Sequence, residues 1–122
     1  MRKTIPLAIL LTALAAPALA DNYPIDGPWG QSSSSDKGAI DCSGKRIITF
    51  NGNQRQDSSG GVSAYRNKSV TANGPSTYRV VDQFSNGQVS SGSVNYTLRQ
   101  VDADHVVMQP QQGGTITLQR CK

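Results

Sequence analysis

The sequence contains no glutamate, and the other residues that commonly build active sites are scarce. All eight acidic residues are aspartates, and His105 is the one histidine. General acid–base catalysis needs a base, an acid or nucleophile and a stabilising group held together, whereas most of these aspartates lie in turn sequences. The composition therefore argues against an enzyme, and we expect a protein that works without catalysis and without a cofactor.

Helical periodicity is absent as well. No segment places apolar residues at a 3.6-residue spacing over enough length to bury one face of a helix. Twelve glycines and six prolines interrupt the chain at short intervals, as the turns between short strands require. These two features exclude a helical domain and predict an all-β fold.

The longest apolar stretch, Ile5–Ala16, is too short to cross a bilayer as a helix, which needs about 20 apolar residues. Arg2 and Lys3 precede it, and the small-x-small sequence Ala18-Leu19-Ala20 follows it. This order is typical of a cleavable secretory signal peptide, and an uncleaved anchor is the less favoured alternative. We predict a signal peptide over 1–20 and a periplasmic or secreted product with no stable membrane insertion.

Only two cysteines are present, Cys42 and Cys121, in a chain that we expect to reach an oxidising compartment. The simplest interpretation is one disulfide, which would close a loop worth on the order of 4 kcal/mol of unfolded-state entropy. A catalytic or metal-binding thiol pair is less favoured, because no Cys-x-x-Cys spacing exists and one histidine cannot complete a zinc site.

The charge balance is mild. Without the signal peptide the chain keeps ten of its twelve Lys and Arg residues and all eight aspartates, a formal charge of +2. Surfaces that follow a phosphate backbone gather their basic residues on one face, whereas these are scattered along the sequence. We therefore expect no nucleic-acid partner.

Proline, glycine and serine dominate residues 21–38, which we interpret as a lead-in to a folded domain over 39–122. Within that domain, short β-type runs alternate with turn signals such as Asn51-Gly52 and Asn86-Gly87. We expect strands over 45–50, 62–66, 68–72, 76–84, 89–101, 105–109 and 115–120. The second and third of these could form one bent strand.

Alternation is clearest in segments 76–84 and 89–101. In each segment, alternate residues are predicted to point inward. In segment 76–84 these are Tyr78, Val80, Asp82 and Phe84. In segment 89–101 they are Val94, Tyr96 and Leu98. Chains of many short strands usually close as barrels or stack as sandwiches, because exposed edges promote aggregation. We predict a small antiparallel up-and-down β-barrel of about seven or eight strands with one disulfide, its interior mostly filled by its own side chains.

Asp82 stands out, because its position places a carboxylate on an otherwise apolar face. An unpaired buried carboxylate is costly. We therefore expect an ion pair with Arg79, Arg99 or Arg120, or else a bulge that takes Asp82 to solvent. A role in ligand binding or catalysis is the third possibility.

His105 follows a turn and begins a predicted strand. An exposed residue at the end of a strand is the favoured interpretation, ahead of a general base. A minimal hydrolase built on His105 would need an aspartate within hydrogen-bond distance of it in a cleft.

Gly27-Pro28-Trp29 and Arg120 carry a first family resemblance. With these residues the chain resembles the lipocalin-like, or calycin, β-barrels, which open with Gly-x-Trp and cover that tryptophan with an arginine from the last strand. The resemblance implies a cation–π contact between Arg120 and Trp29 at the closed end of the barrel. Trp29 itself is expected to serve mainly as a core residue.

The positions of Cys42 and Cys121 carry a second resemblance. They are similar to the cysteine placement of periplasmic inhibitors of C-type lysozyme, which are small exported β-barrels often tied by one disulfide. This resemblance implies an inhibitor of a hydrolase such as lysozyme or a protease, acting by inserting a loop. The serine tract 32–35 is most simply a solvated loop, but it is also a candidate for that role.

Taken together, these features predict an exported non-enzymatic β-barrel that binds a small apolar ligand or an envelope protein, with a hydrolase inhibitor as the alternative. The candidate ligand-binding or structural residues are Trp29, Tyr78, Asp82, Tyr96 and Arg120. A pocket lined by apolar residues of the predicted inward faces, namely Tyr78, Val80, Tyr96, Leu98 and Ile116, would favour the ligand carrier. A solid interior with one protruding loop would favour the inhibitor.

Overall fold

The structure of this chain, a computed structural model, describes residues 22–59, 61–88 and 91–122. It consists of eight antiparallel strands that follow one another in chain order around a closed barrel. They are β1 (Gly27–Gln31), β2 (Ile47–Asn51), β3 (Gln54–Asp57), β4 (Ala64–Ala72), β5 (Thr77–Phe84), β6 (Gly92–Asp102), β7 (His105–Pro110) and β8 (Ile116–Arg120). The predicted all-β barrel is confirmed, whereas the predicted signal peptide over 1–20 lies outside the described residues. No helix with the length and apolar character to cross a membrane occurs in the described part of the chain.

The strands with the clearest alternation, β5 and β6, form one long antiparallel pair. Val80 lies opposite Tyr96 and Tyr78 opposite Leu98, so the residues predicted to face inward are neighbours across the two strands. The segments 62–66 and 68–72 join into the single strand β4, which carries a bulge between Asn67 and Ser69. The alternative of one bent strand is therefore confirmed.

Two strands occur where the sequence analysis predicted none. The expected lead-in over 21–38 does not hold for Gly27–Gln31, because this strand pairs with both β2 and β8 and closes the barrel. Strand β3 was missed because all four of its residues are polar, so no hydrophobic alternation marks it. Its inward residues are Arg55 and Asp57, both buried.

The interior of the barrel is packed with side chains. Trp29, Ile48 and Val80 have no exposed surface. Tyr23 and Ile25, from the chain before β1, are buried in the same core. The backbone N–H of Tyr23 donates to the carbonyl oxygen of Gly52 at 3.0 Å, which fixes this segment to the β2–β3 turn. We call the barrel end with this turn the closed end, and the opposite end the mouth.

The serine-rich segment after β1 lies along the outer face of β8. Its anchor is Gln119, a fully buried residue whose Nε2 donates to the carbonyl oxygens of Asp36 and Gly38, each at 2.9 Å. The hydroxyl of Ser32 donates to Oε1 of the same side chain at 3.2 Å. The segment is therefore held against the barrel and does not protrude from it as an inhibitory loop would.

The predicted disulfide is confirmed. Cys42 and Cys121 are bonded, with their Cα atoms 5.6 Å apart and 79 positions separating them in sequence. Gly30 lies against the Cys42 sulfur so closely that a Cβ atom at position 30 would collide with it. The bridge therefore ties the chain that follows the serine-rich segment to the C-terminal end of the barrel.

Removal of this bridge is expected to lower stability strongly. The double variant Cys42→Ser/Cys121→Ser should unfold with a free energy about 4 kcal/mol lower and a Tm at least about 15 °C lower, because the unfolded chain regains its loop entropy. Thermal and urea unfolding followed by circular dichroism measure both quantities. Adding reductant should lower the Tm of the wild type and leave that of the double variant unchanged. A loss below about 1 kcal/mol would contradict a stabilising role for the bridge.

Candidate functional site

A buried polar cluster occupies the part of the barrel where a ligand carrier would have its cavity. Asp82 lies at its centre with no exposed surface. Its Oδ1 accepts from the Tyr23 hydroxyl at 2.9 Å and from Asn67 Nδ2 at 3.2 Å. Its Oδ2 accepts from Arg55 Nε and from the Tyr96 hydroxyl, each at 2.8 Å. One carboxylate thus collects donors from four other side chains.

Each donor reaches this carboxylate from a different element. Arg55 is on β3, Asn67 on β4, Tyr96 on β6 and Tyr23 before β1, while Asp82 itself is on β5. Asn67 also donates to the carbonyl oxygen of the next strand at Val81, which places its amide beside the cluster. The cluster therefore joins four consecutive strands and the N-terminal segment at one point.

The partner of Asp82 differs from the three that the sequence analysis named. Arg79 and Arg99 are exposed on the outer face of the barrel, and Arg120 covers Trp29 instead. The expected pairing with Arg79, Arg99 or Arg120 is therefore wrong, and Arg55 takes that place. The expected bulge that would take Asp82 to solvent is also wrong, because the bulge lies on β4 and Asp82 is fully buried.

The protonation states of the cluster follow from its burial. Burial, together with the charge of Asp82, raises the pKa of Tyr23 far above its ordinary value. Burial raises the pKa of Tyr96 in the same way, partly offset by the charge of Arg55. Burial opposes the charge of Arg55, but Tyr96 and Asp82 still hold its pKa above the ordinary value. Both phenols are therefore neutral donors and Arg55 is a cation.

The residues predicted to line an apolar pocket are part of the packed core. Val80, Tyr96 and Leu98 are buried, and Tyr78 and Ile116 pack against them from the margin. Tyr78 belongs neither to the Asp82 cluster nor to the Trp29 contact. In the described part of the chain these five side chains fill space and do not enclose a ligand site.

Trp29 and Arg120 are in contact, as the resemblance to lipocalin-like barrels implied. The guanidinium carbon of Arg120 lies 4.5 Å from the centre of the indole ring, and Trp29 Nε1 donates to the carbonyl oxygen of Asp26 at 2.9 Å. The same guanidinium donates to the carbonyl oxygen of Ala103 from Nε and Nη2 at 3.3 and 3.2 Å. The contact ties β1 and β8 to the β6–β7 turn and is structural.

A cleft of about 460 Å³ opens at the mouth, where β3 and β5 end and β4 begins. Its floor is the guanidinium of Arg55, whose carbon lies 3.8 Å from the centre of the Tyr65 ring. Tyr65 and Phe84 pack edge to face with their ring centres 5.7 Å apart. The polar residues around them are Gln54, Gln56, Arg66, Gln83, Ser85 and Ser91. We call this site the mouth cleft.

The mouth cleft rests directly on the buried cluster. The guanidinium that bonds to Asp82 through Nε presents its flat face to Tyr65, so one side chain belongs to both sites. Phe84 lies against Gly92, where any side chain would collide with the ring. No local motif connects Arg55 and Tyr65, so a site at these residues was not predictable from one segment; the pairing of β3 with β4 brings them together.

A second groove, of about 380 Å³, lies on the outer face beneath the serine tract 32–35. In it His105 Nδ1 is 2.8 Å from Asp102 Oδ1. The hydrogen bond to Asp102 raises the pKa of His105 above its ordinary value. Exposed Val101 forms part of the groove wall. This is the juxtaposition of histidine and aspartate that a minimal hydrolase requires.

Among the described residues, the groove lacks the nucleophile that a hydrolase would place beside the histidine. The other ring nitrogen of His105, Nε2, is buried and has no hydrogen-bond partner in the described residues, so no serine hydroxyl is positioned as a nucleophile there. The hydroxyl of Ser32 bonds to Gln119, and that of Ser34 accepts from the backbone N–H of Asp36. Nor do the described residues contain a group of three or more potential metal ligands. The geometry supports an ion pair and no catalytic triad.

Comparison of this chain with protein-family models, with curated proteins and with solved structures gives no match in any of the three.

Loss of the central carboxylate is expected to destabilise the whole barrel. Asp82→Asn leaves the Arg55 cation buried without its counter-charge, and the free energy of unfolding should fall by about 3–5 kcal/mol. Asp104→Asn is the matched control, because Asp104 faces Arg120 across 3.7 Å at a half-exposed site and its loss should cost less than about 1 kcal/mol. Urea unfolding measures both. Equal losses in the two variants would show that the cluster is not the main polar support of the fold.

The His105–Asp102 pair should make stability depend on pH. Because the pKa of folded His105 lies above its ordinary 6.5, the contribution of the pair is complete below pH 6.5 and disappears as pH rises through the folded-state value. The pKa of Asp102 is lowered from 3.8, mainly by its bond to His105, so the contribution also disappears as pH falls through that lowered value.

An NMR titration of the one histidine tests this directly. The wild type should titrate above 6.5, and Asp102→Asn should bring the pKa of His105 back toward that value. The exposed Asp36→Asn is the control and should leave the titration unchanged. A wild-type pKa at or below 6.5 would contradict the ion pair.

Proposed function

We propose that this chain is an exported, non-enzymatic β-barrel that works by binding an envelope protein, and that the mouth cleft is its recognition site. The observation that carries the proposal is the occupied interior: Asp82 and its donors lie where a carrier would hold its ligand. Binding at the outer surface is the function that such a solid barrel supports best.

The packed interior weighs against the small apolar ligand that was the other leading prediction. Ligand pockets for small molecules usually enclose 300–1,000 Å³ behind largely apolar walls. Here the comparable space holds a buried ion pair, and Val80 and Leu98 are covered by neighbouring side chains. Opening a cavity there would separate Arg55 from Asp82 in a medium of low dielectric constant, which is strongly unfavourable.

The chemistry of the mouth cleft supports a protein partner. Tyrosine and arginine are enriched among the residues that dominate binding energy in protein interfaces. Tyr65 is held between Phe84 and the guanidinium of Arg55, and that guanidinium is held by Asp82. Side chains fixed in this way lose little conformational entropy when a partner binds. The surrounding glutamines and serines supply hydrogen bonds at the rim.

The disulfide is compatible with a protein that works outside the cytoplasm. Together with the sequence pattern of residues 1–20, it supports export. An envelope protein is therefore the class of partner that we propose.

Inhibition of a hydrolase is the second candidate, favoured by the solid interior. The serine tract 32–35 is an unsuitable inhibitory loop, because Gln119 holds its segment against the barrel. An inhibitor of this shape would instead act through the mouth cleft, whose rim is exposed. Assays of lysozyme and secreted-protease activity with the added mature protein distinguish this candidate from a partner of another kind.

Substitutions in the cleft test the proposal. The mature chain serves as bait for envelope proteins, with quantitative mass spectrometry of the captured material. Tyr65→Ala removes the central ring, and Gln56→Arg obstructs the rim at an exposed site without touching the core. Each should reduce capture of the specific partner at least about tenfold, a loss of roughly 1.4 kcal/mol or more in binding.

The control is Gln31→Arg, which makes the same exposed change on β1 and should keep capture within about twofold of wild type. A fluorescent fatty acid, used as the apolar probe, should not bind at micromolar concentration. If the partner is still captured by both cleft variants, the mouth cleft is not the recognition site. If the fatty acid binds tightly, the hypothesis of a small-ligand carrier is favoured again.

A further inference from the structure

The outer face of β4, β5 and β6 carries four basic residues without an ion pair among the described residues. Arg66, Lys68, Arg79 and Arg99 are all exposed there. None of the four takes part in an ion pair within residues 22–59, 61–88 and 91–122. We call these four residues the basic face.

Carboxylates are missing from this face. The acidic residues on the three strands are Asp82, buried inside the barrel, and Asp102, at the last position of β6. Asp57 and Asp104 pair with Arg46 and Arg120, respectively.

The remaining described aspartates lie before β2, at positions 26, 36 and 41. Lys122 and Lys45 are the charges that act on Asp41. The acidic residues therefore neutralise other parts of the molecule and leave the basic face positive.

The strand register sets the spacing of these cations. Arg79 lies opposite Thr71 on β4 and Thr97 on β6, while Arg99 lies opposite Thr77. Arg79 and Arg99 are thus diagonal neighbours, about 7–8 Å apart at the backbone. Arg66 lies opposite Gln83, four residues along β5 from Arg79, which is roughly 13 Å at the rise of a strand. The charges form a row that a chain with repeated negative groups can follow.

A polar groove of about 520 Å³ lies beside Arg79 on the same face. Asn95, Thr97 and Gln109 contribute amide and hydroxyl groups to it, and the side chain of Asn95 donates to Gln111 at 3.0 Å. Apart from the covered ring of Tyr96, no aromatic residue lines the groove. A protein interface usually centres on such aromatic anchors. Amides and hydroxyls beside an arginine suit a hydroxyl-rich ligand better.

We propose that the basic face binds an anionic polysaccharide, with Arg79 and Arg99 contacting its acidic groups and the polar groove receiving the hydroxyls of a neighbouring sugar. Arg66 belongs to both the basic face and the mouth cleft, but Arg79 and Arg99, which make the proposed contacts, do not line that cleft, so changes at these two positions test the basic face separately. Displacement of counterions from the polymer contributes to the affinity, which therefore falls as salt concentration rises.

A pair of polymers with the same backbone tests the proposal. Dextran sulfate and neutral dextran differ in their acidic groups, and the mature protein should bind the first and not the second in biolayer interferometry. Alginate, with carboxylates in place of sulfates, should also bind. The double variant Arg79→Gln/Arg99→Gln should weaken both interactions at least tenfold and reduce their salt dependence.

The control is Lys37→Gln/Lys45→Gln, which removes the same charge from exposed positions outside the basic face and should change the affinity less than twofold. Equal weakening by the two double variants would overturn the proposal, because the binding would then follow net charge alone. Tighter binding of duplex DNA than of either acidic polysaccharide would also overturn it, as would tight binding of neutral dextran. All variants alter exposed side chains, so unchanged thermal unfolding confirms that each is folded.

Discussion

The carboxylate of Asp82 is the constraint around which this barrel is organised. A charge without exposed surface is tolerated only when hydrogen bonds and an opposite charge replace the water it has lost. Tyr23, Arg55, Asn67 and Tyr96 supply those partners from four separate elements. None of the four can move away alone without leaving a buried polar group unsatisfied. The requirement therefore fixes the relative positions of β3 to β6 and draws the segment before β1 into the barrel.

The same constraint favours the proposed recognition at the outside of the molecule over a ligand inside the barrel. Arg55 neutralises Asp82 with one edge of its guanidinium and stacks on Tyr65 with its face, so the stabilising cluster also forms the floor of the mouth cleft. A barrel that used this space for a ligand would have to give up the ion pair. Recognition at the rim leaves the pair intact, and the pair in turn keeps the aromatic ring in place for a partner. In the proposed function, the stability of the barrel and the binding of a partner thus both depend on Arg55, the first through its ion pair and the second through its contact with Tyr65.

Much of the fold was predictable because most strands alternate apolar and polar residues. The pattern in β5 and β6 identified the inward residues, and the resemblance carried by Gly27-Pro28-Trp29 and Arg120 implied the contact between Arg120 and Trp29. Strand β3 has the sequence Gln-Arg-Gln-Asp, and its inward positions are charged, so an apolar pattern could not reveal it. The partner of Asp82 was missed for the same reason, since Arg55 lies on that strand. The mouth cleft depends on pairing between strands that no single segment encodes.

The distribution of basic residues on the surface could not be predicted from their order in the sequence, because it depends on how the strands pair around the barrel. Along the chain the basic residues are scattered, which argued against a nucleic-acid partner. Because side chains alternate along each strand, Arg55 points into the barrel, where the carboxylate of Asp82 neutralises it. Arg79 and Arg99 point outward. Antiparallel pairing then makes these outward residues diagonal neighbours on adjacent strands, although 20 positions separate them in sequence. A mild net charge is therefore consistent with one strongly positive face, because the acidic residues are used to balance charges elsewhere. Net charge limits the total field of a protein, but the strand register decides where that field is strong.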